Sequence, residues 1–307
     1  VAGLLLLLVG GEALVRGAGA LALRLGLSPL AVGLTVVAFG TSTPELVVSL
    51  DAAFAGVPDI AVGNVIGSNI ANVTLILGMG MLFGPARVVA RTVRVDAPLV
   101  VLVSVVMVLM LGDGTVSRIE GIALVLSLCA FTAITLLQGR NEPAGVKQEF
   151  EEAVAGPPDT ALFSVLLVLV GLGGLVLGGQ LFLNSAVQLA RTLGVTEAVI
   201  GLTVVAVGTS LPELITSIVA ALRGQGDIAI GNVLGSNLFN VLGILGVTAV
   251  VLPLQPGGIT GATLGVMVGS AVVVAGMAVT GRRITRVEGG VLVAGYVAYT
   301  VWLVGGG

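Results

Sequence analysis

The chain has 307 residues, of which 56% are hydrophobic and only 9% charged, with a net charge of −3 and a mean hydropathy of +1.17. That composition excludes an ordinary soluble domain and describes a polytopic membrane protein. With no histidine and a single cysteine, imidazole metal sites, Ser-His-Asp triads, disulfide frameworks and thiolate clusters cannot be built within the chain, so ion or acid–base chemistry falls to carboxylates.

A membrane span needs roughly 20 apolar residues. On that criterion ten spans are expected, at 2–25, 29–55, 59–84, 95–112, 117–138, 160–190, 196–222, 227–252, 262–280 and 286–304. The first apolar run is too long for a signal-peptide core and reads as a span. Glu12 and Arg16 lie one turn apart on it and are expected to pair with each other. Cys129, in an apolar run, is expected to pack.

The loops order these spans. With the N-terminus outside, Arg24, Arg87, Arg91, Arg94, Arg140, Lys147, Arg223, Arg282, Arg283 and Arg286 fall on the cytoplasmic side, and only Arg118 and Arg191 on the other. This positive-inside bias predicts that both termini face outward and that the chain lies in the plasma membrane. The longest connection, 139–159, is acidic and proline-bearing; it reads as a cytoplasmic linker, too short for a folded domain, between a first half at 1–138 and a second at 160–307. Its "EFEE" cluster reads as a solvated charge run, with a calcium sensor as the alternative.

Residues 31–78 align without gaps to 199–246 at an offset of 168, with 30 identities in 48 positions. Five spans separate the copies, and an odd number means that they enter the membrane from opposite sides. The expected fold is therefore an all-α polytopic membrane protein, ten transmembrane helices arranged as two inverted five-helix repeats. Inverted repeats are the architecture of secondary transporters, whose sites lie near the bilayer midplane at broken helices.

The identities concentrate in polar signatures, "GTSTPEL" at 40–46 with "GTSLPEL" at 208–214, and "PDIAVGNVIGSN" at 58–69 with "GDIAIGNVLGSN" at 226–237. Pro44 and Pro212 carry no N–H, so the carbonyls of Gly40 and Gly208 lose their helical partners and helices 2 and 7 become discontinuous. Released carbonyls at membrane depth are costly unless they line a wet cavity or grip an ion. Thr41 with Glu45, Thr209 with Glu213, Ser68 with Asn72 and Ser236 with Asn240 are each four residues apart, the spacing of one helix face. The pooled set is two carboxylates, hydroxyls, amides and carbonyls, without sulfur or imidazole, and suits a hard cation. Calcium, which takes six to eight oxygens, fits such an all-protein cage better than magnesium, and sodium can compete for the same oxygens.

Packing kinks account for many single Pro-Ser-Thr breaks, but two buried acids at insertion costs of at least ~2.5 kcal/mol each, with no basic residue at matching depth, do not fit that account. Asn64, Asn232, Asn69 and Asn237 could bond either broken backbone or an ion. Asp59 and Asp227 read as helix caps. Tyr296, Tyr299 and Trp302 suit interfacial anchoring or packing.

At these residues the sequence resembles the sodium/calcium exchanger family of the cation/calcium antiporter superfamily, in its prokaryotic form, whose two alpha-repeats carry GTS-x-PE followed by G-N-x-x-G-S-N. The resemblance implies a central calcium site at Glu45, Glu213, Thr41 and Thr209, with the threonines contributing mainly main-chain oxygens. It implies flanking sodium positions at Ala38, Ser68, Ala206, Ser210 and Ser236, with Ser42 paired to Ser210 by symmetry and Asn72 and Asn240 at the middle. Many relatives carry Asp where this chain has Asn240, which argues against a third carboxylate and against potassium co-transport. The family likeness also makes the first and sixth spans a mobile pair, whose glycines imply smooth, loosely packed contacts.

The expected function is thus Na+/Ca2+ antiport by alternating access, with Ca2+ and Na+ as substrates and the lipid bilayer as surroundings. No cofactor, enzymatic step, nucleic acid or obligate protein partner is implied, and the chain is expected to act as a monomer. Proton/calcium exchange is the nearest alternative, since membrane-depth carboxylates can be protonated. A cation channel is a third, although its filter normally needs several subunits around an axis.

Overall fold

The computed structural model describes residues 2–138, 160–192, 206–281 and 283–304. The chain is almost entirely helical. In order, the described elements are α1 (Ala2–Leu25), α2 (Pro29–Thr41), α3 (Thr43–Phe54), α4 (Pro58–Phe83), α5 (Thr92–Asp113) and α6 (Arg118–Gln138). The second half continues with α7 (Ala161–Thr192), α8 (Ala206–Thr209), α9 (Leu211–Leu222), α10 (Gly226–Val251), α11 (Gly261–Gly281) and α12 (Arg286–Val304). A two-residue ladder pairs β1 (Ala86–Arg87) with β2 (Arg283–Ile284).

Seven of these helices are long and apolar enough to cross a membrane, and the bent pair α2–α3 makes an eighth. Two expected spans fall short of that test. α9 is an apolar helix of 12 residues, and the start of its expected span lies outside the described residues, as does the 139–159 linker with its "EFEE" cluster. α12 carries Arg286 and Glu288 in its first turn, and that polar start dilutes its hydropathy. α5 begins at Thr92, taking in Arg94, which was expected to precede its span at 95–112.

Local chemistry fixes where the helices stop. Gly26, Gly56 and Gly224 sit at φ 65°, 73° and 72°, the left-handed conformation that costs glycine nothing. At each, the next residue's N–H reaches back across the turn: Leu27 to Ala22, Val57 to Ala52 and Gln225 to Ala220. Ser28 caps α2, its Oγ accepting the Ala31 N–H at 3.1 Å, with Pro29 following. Capping boxes start α6 and α12. Ser117 N–H donates to Glu120 at 2.7 Å and Thr285 N–H to Glu288 at 2.8 Å, and each hydroxyl oxygen accepts in return.

α4 and α10 form the centre, with 78% and 89% of their apolar windows buried against 17–33% for α5, α6, α7 and α11. α2 crosses α10 backbone to backbone: a Cβ at Gly33 would lie 2.8 Å from the Ile228 carbonyl, and one at Gly231 2.8 Å from that of Leu30. α1 and α7 run antiparallel on a seam of small residues, Gly3 against Gly178, Gly10 against Gly171 and Gly17 against Ser164. The expected loose packing of the α7 glycines is therefore corrected. A Cβ at Gly171 would sit 2.5 Å from the Leu14 nitrogen, so these glycines weld α7 to α1.

Contacts recur at the offset of 168. Ala86 pairs with Ile284 and Val116 with Leu254; Gly121 packs on Gly246 and Gly289 on Gly78. Ala86–Ile284 and Gly289–Gly78 lie toward one end of the helix bundle, and their equivalents Val116–Leu254 and Gly121–Gly246 toward the other. Asp59 Oδ1 accepts the Gly258 N–H at 2.7 Å at the Val116 end, so this acid clips a loop, whereas the residue at the cap of α4 is Val57. Cys129 is exposed on α6 rather than packed. Tyr299 stacks near Trp302, with ring centroids 6.2 Å apart, and Tyr296 and Tyr299 pack on the core.

Candidate functional site

The bend of 44° between α2 and α3 falls at Ser42, whose φ −84° and ψ 7° leave the helical region. Ser210, its equivalent between α8 and α9, has φ −87° and ψ 9°. Both breaks therefore share one backbone conformation. The proline two residues on starts the next helix in each case, where a missing N–H costs nothing. Near the first break the Thr43 hydroxyl donates to the Phe39 carbonyl at 3.0 Å, answering one group that the interruption frees.

The two breaks face each other and exchange hydrogen bonds between the halves. Ser42 Oγ donates to Glu213 Oε1 at 2.8 Å, and Ser210 Oγ donates to Glu45 Oε1 at 3.1 Å. Ser210 also lies 3.4 Å from Ser68 Oγ. Each serine therefore serves the other repeat's acid, which draws Glu45 and Glu213 into one cluster. Both acids are 1% exposed, and among the described residues neither makes an ion pair.

The remaining expected site residues lie on the broken helices and on α4 and α10, which flank them. Thr41, Thr209, Ser68, Ser236, Asn72 and Asn240 are all buried, as is Ala38; Ala206 opens α8. Ser68 and Ser236 occupy equivalent turns of α4 and α10, and Asn72 and Asn240 stand in their π-helical stretches, a helix variant often found at functional sites. Asn240 Nδ2 donates to Asn69 Oδ1 at 3.0 Å, and Asn69 Nδ2 lies 3.5 Å from the Asn237 carbonyl, so the central amides also tie the halves together.

Several oxygens in this cluster are buried and make no hydrogen bond: Glu45 Oε2, Glu213 Oε2, Ser236 Oγ, Asn72 Oδ1, Asn237 Oδ1 and Asn240 Oδ1. Buried polar groups are normally paired. The unpaired atoms are all oxygens, of carboxyls, hydroxyls and amides, the ligand type a hard cation takes. Among the described residues no three His, Cys, Asp or Glu side chains cluster. The acidic part is two glutamates, and hydroxyls and amides make up the rest.

The ambiguity at Asn64 and Asn232 resolves toward scaffolding. Asn64 Nδ2 donates to the Glu45 carbonyl at 3.0 Å and to Ser49 Oγ at 2.9 Å; Asn232 Nδ2 donates to the Glu213 carbonyl at 3.3 Å and to Ser217 Oγ at 3.0 Å. Asn232 Oδ1 also accepts the Thr41 hydroxyl at 3.2 Å. These amides hold each glutamate's backbone in place. Ser49 and Ser217 are absent from the sequence-based site, although their identity across the repeat is a signal that could have found them. One expected pairing is overturned: Glu12 bonds Arg223 at 2.8 Å instead of Arg16, because Arg16 points out from α1 while Glu12 faces the end of α9.

Comparison with known proteins identifies the family. The sodium/calcium exchanger protein family matches residues 1–137 and 163–305. The chain is 38% identical over 306 residues to the putative antiporter CaxA of Alkalimonas amylolytica, covering 97% of this chain and 95% of that one. It is 32% identical to the sodium/calcium exchanger MaX1 of Methanosarcina acetivorans, covering 98% and 96%. Among solved structures, the sodium-calcium exchanger NCX_Mj soaked with Na+ and Ca2+ superposes with a TM-score of 0.83 at 30% identity, covering 97% of this chain and 94% of the other. A family match over nearly the whole chain and these full-length relatives place it as a multi-pass membrane protein of the sodium/calcium exchanger family.

Proposed function

We propose that this chain is a secondary antiporter that exchanges Na+ for Ca2+ by alternating access around Glu45 and Glu213. One observation carries the reading: two buried carboxylates, each bound crosswise by the other repeat's serine, keep one unpaired oxygen apiece among the unpaired oxygens of Ser236, Asn72 and Asn240. The charge of the two acids matches one Ca2+ or, with the same oxygens, a load of Na+. Two cargoes that compete for one cage cannot cross together, and that competition is the physical basis of exchange. Thr41, Thr209, Ser42, Ser210, Ser68, Ala38 and Ala206 belong to the same ligand set in this reading. MaX1 and NCX_Mj bear the name sodium/calcium exchanger, which supports Na+ as the counter-ion.

The same reading takes the architecture as ten spans in two inverted repeats, 1–138 and 160–307, joined by a cytoplasmic linker, with both termini outside the plasma membrane. It is supported by the paired contacts at opposite ends of the bundle, Ala86 with Ile284 and Val116 with Leu254, and by Ser42 and Ser210 sharing one break conformation. Because both halves of the cage come from one chain, a monomer suffices and no cofactor is called for.

The test is calcium uptake into sodium-loaded proteoliposomes at fixed pH. Wild type takes up Ca2+ only when Na+ is inside. Glu45→Gln and Glu213→Gln each remove one of two negative charges, and uptake is expected to fall at least about 100-fold, the effect of ~3 kcal/mol from leaving a buried charge uncompensated. Uptake driven equally well by a proton gradient without Na+ would replace Na+ by H+ as counter-ion. Normal transport by both Gln variants would overturn the site.

A further inference from the structure

Glu12 sits midway along α1, beside Gly11, which packs on Ile215 of α9. Arg223 follows directly after α9. Its Nε donates to Glu12 Oε2 at 2.8 Å, and its second guanidinium nitrogen meets Glu12 Oε1, so the pair is two-pronged. It joins α1, which is welded to α7, to the helix that carries Glu213.

The inverted repeat has no second copy of this pair. At the offset of 168, Glu12 corresponds to Gln180 and Arg223 to Ala55. Gln180 is exposed on α7, and Ala55, at the end of α3, carries no charge. In a transporter made of inverted repeats, the two access states arise when the halves exchange conformations. Contacts present in both halves are then made equally in each state, and only contacts unique to one half favour a state.

We propose that Glu12 and Arg223 form a state-selective latch, which holds the α1–α7 unit against the end of α9 and sets the resting balance between the two access states. The inference rests on the alternating-access reading above. The side chains are 36% (Arg223) and 45% (Glu12) exposed on the outside of the protein, so the pair is not sealed in the core and its effect is a modest bias.

Removing the latch moves population from one state to the other, and apparent affinity scales with the fraction of molecules competent to bind on a given face. In proteoliposomes, Glu12→Gln and Arg223→Gln are each expected to shift half-saturating Ca2+ about two- to five-fold, in opposite directions on the two faces. The double Gln variant should shift no further than either single one, and the exchanged pair Glu12→Arg with Arg223→Glu should restore wild-type values.

Spin labels at Leu8→Cys and Leu222→Cys in a Cys129→Ser background report the α1–α9 distance whatever the cargo. The single Gln variants should redistribute it and the exchanged pair should restore it. Unchanged distances, shifts of the same sign on both faces, or failure of the exchanged pair to restore them would overturn the latch. Absence of sodium-driven calcium flux in wild type would instead count against the transport reading, and the distance measurement would still decide the latch.

Discussion

At the scale of single residues, the site is organised by what each side chain leaves unused. Ser42 and Ser210 spend their hydroxyl protons on the opposite glutamate, so each carboxylate keeps one free oxygen. Asn240 donates to Asn69 and keeps Oδ1 unpaired. Asn240→Asp removes that donor and adds a negative charge that must be balanced by a further cation or a proton. Transport by this variant should therefore depend more steeply on pH than wild type, approaching wild-type behaviour at low pH where the new acid is protonated; initial rates between pH 5 and 9 check it. Asn64→Ala and Asn232→Ala strip the bonds that fix the glutamate backbones. Each removes two hydrogen bonds made to a buried carbonyl and a buried hydroxyl and should cost about 1–3 kcal/mol, read as a lowered midpoint in thermal unfolding in detergent. The repeat identities expose Asn64 and Asn232 in the sequence, but whether they faced ion or backbone could not be decided there, since an amide serves both and only its neighbours choose.

At the scale of helices, small residues act as joints. Gly171 meets the α1 backbone where a Cβ would lie 2.5 Å from Leu14 N, whereas Gly173, two residues on, has open space around it. Gly171→Val should therefore force α1 and α7 apart at a cost of about 1–3 kcal/mol, and Gly173→Val should leave stability nearly unchanged. Thermal unfolding of the two variants side by side separates a packing seam from a general aversion to bulk. The end of α12 can be tested in the same assay: Thr285→Ala breaks its capping box and should cost about 1 kcal/mol. The proline breaks were read directly, because proline chemistry is local, whereas the cap read at Asp59 gave way to Val57, and the capping boxes and glycine stops emerged from the structure. The seam was not legible. Glycines in a hydrophobic run give the same pattern whether they slide or interlock, and the facing helix decides.

At the scale of the whole molecule, equivalent contacts fall at opposite ends of the bundle. Asp113 lies in the turn before Val116, and Arg283 in the ladder with Ala86 and Arg87. In a Cys129→Ser background, Asp113→Cys should react with a membrane-impermeant maleimide from outside in intact cells, and Arg283→Cys only after the membrane is opened. Reaction of both from one side would contradict the two-ended arrangement.

The sequence by itself determined the membrane setting, the repeat, the broken helices and the two acids, because hydropathy, proline chemistry and near-identical segments are properties of the chain read in order. Tertiary structure alone decided the crosswise serine bonds, the pairing of Glu12 with Arg223 in place of Arg16, and the exposed position of Cys129. Each depends on which face of one helix meets another far away in sequence, and residue order does not encode that distance.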